Sequence, residues 1–239
     1  MSTGALYLIP TTLGESSLSY VIPEQVRHIA SSLSVFVAEN PKTSRQYLKQ
    51  LGLAIPLQDA EVFTLDKHTK PEQMDVFLQP ALAGRDIGLV SEAGCPAVAD
   101  PGAQLVRLAH RKGIKVIPLV GPSSILLALM ASGMNGQAFS FHGYLPIQKL
   151  ERCKRITELE NESGARNVTQ IFIEAPYRNQ SMLEDIVQTC ASGTELCIAT
   201  DITLSGESIE TRTVSEWRKK LPDINKKPTI FLLYRPGSR

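Results

Sequence analysis

Two short loops concentrate the residues whose types and spacing could do chemistry. Ser91-Glu92-Ala93-Gly94-Cys95-Pro96-Ala97-Val98-Ala99-Asp100-Pro101-Gly102 follows one apolar run, and Gly121-Pro122-Ser123-Ser124 follows another. Small residues let a ligand approach the backbone, and prolines fix a loop before anything binds. Ser123 and Ser124 open a predicted helix, whose first N–H groups suit a carboxylate or a ribose hydroxyl. Each loop also has a structural reading. Asp100-Pro101-Gly102 is a common turn tripeptide, and a serine is a natural helix cap. Neither loop is a Walker loop or a Gly-x-Gly-x-x-Gly fingerprint, so ATP and NAD have no positive support.

Single side chains add to this. Glu39 ends a predicted strand at the same sheet edge and is a candidate general base for a hydroxyl acceptor, or else a cap for the helix near Pro41. Glu174, the second candidate catalytic residue, and Arg178 flank Pro176, where they orient a substrate or form a structural ion pair. His68 lies in a polar loop of the kind that is usually solvated surface, and His142 reads as linker structure. Cys95, Cys153, Cys190 and Cys197 lack any ligand spacing, so free thiols are expected and no metal. The basic clusters 149–155 and 218–220 read as solvated helix faces.

The elements that position these residues alternate. Ala5–Ile9 and Ser34–Ala38 read as strands around a helix near Pro23–Leu33. A helix over 42–51 stops at Gly52, and another over 71–83 stops at Gly84. Ile87–Val90 and Ile114–Val120 are apolar runs of buried-strand type, with helices at 103–112 and 123–131. This rhythm predicts a mostly parallel sheet with crossover helices. Later, strands at 137–141, 168–174, 196–200, 208–213 and 229–234 accompany helices at 149–162 and 181–191 and a short one holding Trp217. Consecutive strands there predict a mixed sheet with antiparallel members. The fold class is α/β, as two small α/β domains over 1–136 and 137–239, with 139–146 the candidate linker.

The bulk numbers are permissive. The 239 residues carry 25 Lys+Arg against 24 Asp+Glu, a formal net charge of +1, with 43% hydrophobic residues. That length accommodates one large domain or two small ones. No global field draws such a protein onto nucleic acid or an anionic membrane. The N-terminal apolar run is short and lacks a positive n-region, so no signal peptide and no membrane span are expected, and the protein is placed in the cytoplasm.

Taken together, the pieces resemble the tetrapyrrole methylase superfamily, and within it the branch of ribosomal small-subunit RNA cytidine 2′-O-ribose methyltransferases. The resemblance rests on Leu6-Tyr7-Leu8-Ile9-Pro10-Thr11, Leu89 to Pro96, Asp100-Pro101-Gly102 and Gly121-Pro122-Ser123. Phe141 to Pro146 and Ile171 to Arg178 extend it, in family order, across nearly the whole chain. It implies S-adenosylmethionine as donor, bound between two α/β domains, commonly in a homodimer. By position, the donor would touch Leu13, Gly94, Cys95, Val98, Ser123 and Ser124. Pro176, Tyr177, Asp201 and Thr229 would contact it from the second domain, while His68 and Arg178 would face the acceptor.

The acceptor side departs from the branch. Glu-Asp-Thr-Arg is replaced by Glu39-Asn40-Pro41-Lys42, the loop ending Gly-Asn by Gly14-Glu15, and Glu-Leu-Thr-Lys by Asp201-Ile202-Thr203-Leu204. A C-terminal extension usual in the branch has no counterpart. The expected function is methyl transfer to ribosomal RNA. The alternatives are a tetrapyrrole or other small-molecule acceptor, or a donor-binding module without catalysis.

Overall fold

A parallel sheet of five strands organises the first half of the chain, in the order β3-β2-β4-β1-β5. The computed structural model describes residues 3–66 and 68–237. In chain order the first half runs β1 (Ala5–Ile9), α1 (Leu18–Val21), α2 (Glu24–Ser32), β2 (Val35–Ala38), α3 (Pro41–Leu51) and β3 (Glu61–Thr64). It continues α4 (Pro71–Phe77), α5 (Gln79–Leu82), β4 (Ile87–Val90), α6 (Gly102–Arg111) and β5 (Lys115–Pro118).

Strand side chains alternate between the two faces, and each face has its own core. Leu6, Val35, Val37, Ile87 and Leu89 pack with α4, α5 and α6. Ile9, Phe36, Ala38 and Val90 pack with Ala30 of α2 and Tyr47 and Leu48 of α3. Helices on both faces explain why β2 and β4 are buried along their whole length. Gly88 makes room inside this core, since a Cβ there would lie 2.5 Å from Ile9 Cδ1 and 2.9 Å from Phe36 Cδ1.

The second half runs α7 (Ser124–Ser132), β6 (Phe139–Tyr144), α8 (Lys149–Arg166), β7 (Thr169–Ile173), α9 (Asn179–Thr189) and β8 (Glu195–Thr200). β9 (Ser208–Thr213), α10 (Val214–Trp217) and β10 (Thr229–Tyr234) complete it. Its sheet has the order β6-β7-β10-β8-β9. β6 and β7 are parallel, and the other pairs are antiparallel. Phe172, Phe231, Ile198 and Leu233 face α8, α9 and Trp217. On the other face, α7 packs on β10 and β9.

The chain divides into two compact units, 1–123 and 124–239. The sequence places the boundary later, at 136/137; α7 groups with the second unit because its partners are β9 and β10. The predicted linker over 139–146 is a correction. Phe139–Tyr144 is the edge strand β6, hydrogen-bonded in register with β7 up to an irregularity after Phe141. Gly143 takes a left-handed φ of 62° at that irregularity, and a glycine inside a strand often marks a bulge. β3 has no counterpart among the predicted strands; it is four residues long with both ends exposed. Among the described residues, no helix is long and apolar enough to cross a membrane.

Candidate active site

All five strands of the first sheet run the same way, so the segments after β1, β2, β4 and β5 emerge at one edge. Ligands of open α/β sheets bind there. The Thr11 backbone N–H donates to the Gly94 carbonyl at 3.0 Å, and the Ser91 hydroxyl donates to the same oxygen at 2.6 Å. Thr11 Oγ1 lies 3.2 Å from Ser91 Oγ. The Cys95 thiol donates to the Pro122 carbonyl at 3.4 Å. The predicted loops 91–102 and 120–124 are thus tied to each other and to the segment after β1.

Gly94 has a φ of +72°, and a Cβ would sit 3.0 Å from Leu13 Cδ2 and 3.1 Å from the Pro122 oxygen. Gly121 is tighter still, with a Cβ placed 2.2 Å from Pro10 Cβ. Both glycines therefore serve the close approach of neighbouring loops, and Leu13, Gly94 and Cys95 are brought together with Pro122. Val98 is exposed on the same loop, between Ala97 and Ala99 at left-handed φ values of 65° and 58°. Non-glycine residues in that region carry strain that surrounding contacts must hold.

Asp100 supplies those contacts. Its Oδ1 accepts the backbone N–H of Ala97 at 2.9 Å and of Gly102 at 2.8 Å. Burial raises its carboxyl above the ordinary 3.8, and the two N–H groups partly oppose that. A carboxyl that holds its proton more tightly when folded destabilises the fold as pH rises from its ordinary value through the raised one. Asp100→Asn keeps an oxygen for both N–H groups and removes the charge. The variant is expected to lose that part of the pH dependence and to gain under about 1 kcal/mol at neutral pH, given its solvent contact. Urea midpoints from acidic to neutral pH would show it.

Glu39 follows β2 directly and is exposed. It lines a small recess of about 10 Å³ with Ser91 and Asp100, room for roughly one water molecule. The α3 cap is supplied by its neighbour: Asn40 Oδ1 accepts the Lys42 N–H at 3.0 Å. His68 is exposed, and its backbone N–H donates to Asp66 Oδ1 at 2.8 Å. That bond is the leading reason the Asp66 carboxyl titrates below its ordinary value.

Sequence reasoning missed Tyr47. It is buried on α3, and its hydroxyl donates to the Pro10 carbonyl at 2.6 Å, pinning the start of the loop that carries Thr11 and Leu13. Burial pushes its phenol above the ordinary value. The signal was its place in the buried stripe with Ser44 and Leu48. Tyr47→Phe orphans that carbonyl and is expected to cost about 1–2 kcal/mol in urea denaturation.

In the second unit, the ends of β7 and β8 and the start of β10 share one edge. Glu174 is buried, pairs with Arg178 at 2.6 Å and accepts the Ala175 N–H at 2.7 Å. This is the ion-pair arrangement the sequence left open. Tyr177 is exposed, with the Arg178 guanidinium 5.0 Å from its ring centre. The Lys226 N–H donates to the Pro176 carbonyl and the Asp201 N–H to the Pro228 carbonyl, both at 3.0 Å. The segments carrying Pro176, Asp201 and Thr229 therefore meet at this edge. Asp201 and Thr203 have left-handed φ values of 49° and 67°. Thr203 Oγ1, Asn179 Oδ1 and Arg178 Nε are buried without a protein partner. Ser124 begins α7.

Lys149, Lys154 and residues 218–220 are exposed, as the sequence expects of solvated helix faces, and Arg152 is the departure. Arg152 is buried in an ion pair with Asp185. Arg218 donates to the Val187 and Cys190 carbonyls at 2.7 Å each. His142 sits in β6, with Nε2 at 2.6 Å from Gln170 Oε1.

No protein-family model matches the sequence. Solved structures share the fold: the methyltransferase CobJ at a TM-score of 0.65 and 16% identity, covering 99% of this chain and 96% of that one. The cobalt precorrin-4 methyltransferase CbiF follows at 0.62 and 16%, covering 96% and 94%. Sequence relatives are closer. The ribosomal RNA small subunit methyltransferase I of Escherichia coli O157:H7 is 30% identical over 241 residues, 100% of this chain and 79% of the relative. That of Xylella fastidiosa is 30% identical over 240 residues, 100% of this chain and 84% of the relative. Matched from end to end at this identity, the chain belongs to the ribosomal RNA small subunit methyltransferase I family.

Proposed function

We propose that this chain is an S-adenosylmethionine-dependent methyltransferase acting on ribosomal RNA, at a ribose 2′-hydroxyl. The observation that supports the reading is the match, along the whole of this chain, to relatives named ribosomal RNA small subunit methyltransferase I.

The residues present fit the donor. The loop over Gly94–Val98 has small and soft side chains and no cation to oppose a sulfonium, while carbonyls of Gly121 and Pro122 lie close to Cys95. The unpartnered buried Thr203 Oγ1 and Asn179 Oδ1 offer polar atoms to a ligand with its own hydrogen-bonding groups. The donor contacts proposed are Leu13, Gly94, Cys95, Val98, Ser123 and Ser124, with Pro176, Tyr177, Asp201 and Thr229. S-adenosylmethionine, when bound, supplies a methyl group already activated on a sulfonium centre. The chain's own contribution is then to hold the acceptor, exclude water and take up one proton. Glu39 is the proposed acceptor of that proton, and His68 and Arg178 are proposed to face the RNA. Glu174 stays behind Arg178 as the group that orients it. A cytoplasmic homodimer is proposed for the assembly.

The test is calorimetric titration with S-adenosylmethionine and S-adenosylhomocysteine, then transfer of labelled methyl to small ribosomal subunits. One site per chain for both ligands and label in the RNA are expected. Donor binding with label in a tetrapyrrole or another small molecule, and none in RNA, would replace the acceptor assignment.

A further inference from the structure

A recess of about 240 Å³ lies wholly within the first unit, beside the segment after β1 and the outer turns of α3. The donor contacts proposed above use only its margin, at Leu13. Its charge is one-sided. Thr11, Thr43, Gln46, Gln50, Glu15 and Glu92 contribute hydroxyls, amides and carboxylates, and no Lys or Arg is among its lining residues. A site that gathers phosphate oxygens uses cations and N–H groups. Two carboxylates, which only accept, set among hydroxyls and amides that both donate and accept, suit an uncharged group that brings N–H and O–H donors of its own.

Glu92 is the fixed point of this wall. Thr43 Oγ1 lies 2.7 Å from its Oε1 and 3.0 Å from its Oε2. One hydroxyl brings one proton, so the carboxylate is held in place while most of its acceptor capacity stays open. Tyr47 closes the floor, its hydroxyl already committed to Pro10. The volume falls below the ~300–1,000 Å³ of sites that take a whole drug-sized ligand, and is nearer the scale of one nucleoside. Ser91 and Ala93 complete the lining and lead directly into Gly94.

We infer that this recess seats the acceptor nucleoside itself, ribose and base. The Glu92 carboxylate accepts a hydrogen bond from one of its N–H or O–H donors, and the RNA phosphates lie outside. This rests on the RNA reading above.

Sign discriminates here. A glutamate that merely lies near RNA repels its phosphates, so Glu92→Gln would lower the KM for RNA. A glutamate that accepts a hydrogen bond from the nucleoside raises it when replaced. The experiment uses the full chain, small-subunit RNA and tritiated donor, with donor affinity followed by calorimetry. For Glu92→Gln the expected result is a KM for RNA raised about 10-fold, kcat little changed and donor affinity unchanged. The dependence of KM on salt should keep its slope, because no phosphate contact is lost. Thr43→Val leaves the carboxylate but unpins it, and about a 3-fold rise is expected; this variant carries the test if the first fails to fold. An unchanged or lowered KM in both variants, with the wild type active on RNA, overturns the inference alone. A wild type that binds donor and methylates no RNA overturns the RNA reading and the inference with it.

Discussion

Asp185→Ala is expected to destabilise the second unit by about 3–5 kcal/mol, a large share of the ~5–15 kcal/mol that holds a domain folded. Asp185 Oδ2 accepts Arg152 Nε at 2.8 Å and Arg152 NH2 at 2.5 Å, and Lys149 Nζ lies 3.2 Å from Oδ1. The Asp185 side chain is 2% exposed and that of Arg152 7%. Removing the carboxylate leaves a guanidinium buried without its counter-charge, and that group has little route to water. Arg152 also donates to the Ile147 carbonyl at 2.6 Å, so the segment leading into α8 loosens with it. Replacing both partners by apolar residues of similar size is expected to restore most of the loss, because no charge then remains to be desolvated. Trp217, the single tryptophan, sits in the same core and makes fluorescence in urea a direct report on this unit. A single variant as stable as the wild type would show that water reaches the pair.

The second large effect concerns rate. Glu39→Gln is expected to reduce methyl transfer about 100-fold, at the lower end of what a positioned base contributes, with donor affinity unchanged. The residue follows β2, and its recess is lined by Ser91 and Asp100 together with Leu65, Leu89 and Val90 at the end of the core. If it takes a proton from the acceptor hydroxyl, the loss falls on kcat, and the acidic limb of the wild-type pH–rate profile disappears in the variant. Labelled-methyl transfer under donor saturation measures both. Full activity would remove Glu39 from the mechanism.

The first unit was legible in the sequence because its inner strands β1, β2 and β4 are largely buried. Ala5–Ile9 and Ile87–Val90 are short unbroken apolar runs, and the glycines at 52, 84 and 113 that close the intervening helices all take positive φ. β3 was missed because an edge strand needs only half its surface apolar, and Glu61-Val62-Phe63-Thr64 is too short for its alternation to stand out. β6 was expected as a strand only to Phe141, and its second half was read as linker because Gly143 and Pro146 look like breakers, although only the first lies inside the strand. The loops of the candidate site were visible as glycine- and proline-rich segments after strands. Their mutual contacts were not: Tyr47 reaches Pro10 across 37 residues and Thr43 reaches Glu92 across 49, and neither pairing leaves a local pattern. The burial of Arg152 was likewise hidden, since its partner lies one helix away.

The place of β1 in its sheet has a consequence for how the chain is made. Leu6 to Ile9 pair with Ile87 to Val90 on one side, and Ala5 to Leu8 with Lys115 to Pro118 on the other. The strand of this unit that is synthesised before the others is therefore an inner strand, and its neighbours are synthesised last in that unit. At ~5–20 residues per second, the apolar segment Leu6-Tyr7-Leu8-Ile9 waits several seconds or more before either neighbour exists. Its insertion closes a loop of many tens of residues, the slow kind of pairing. Until then it is an unpaired apolar strand, which makes the nascent first unit a natural client for a chaperone and the stage at which aggregation competes with folding.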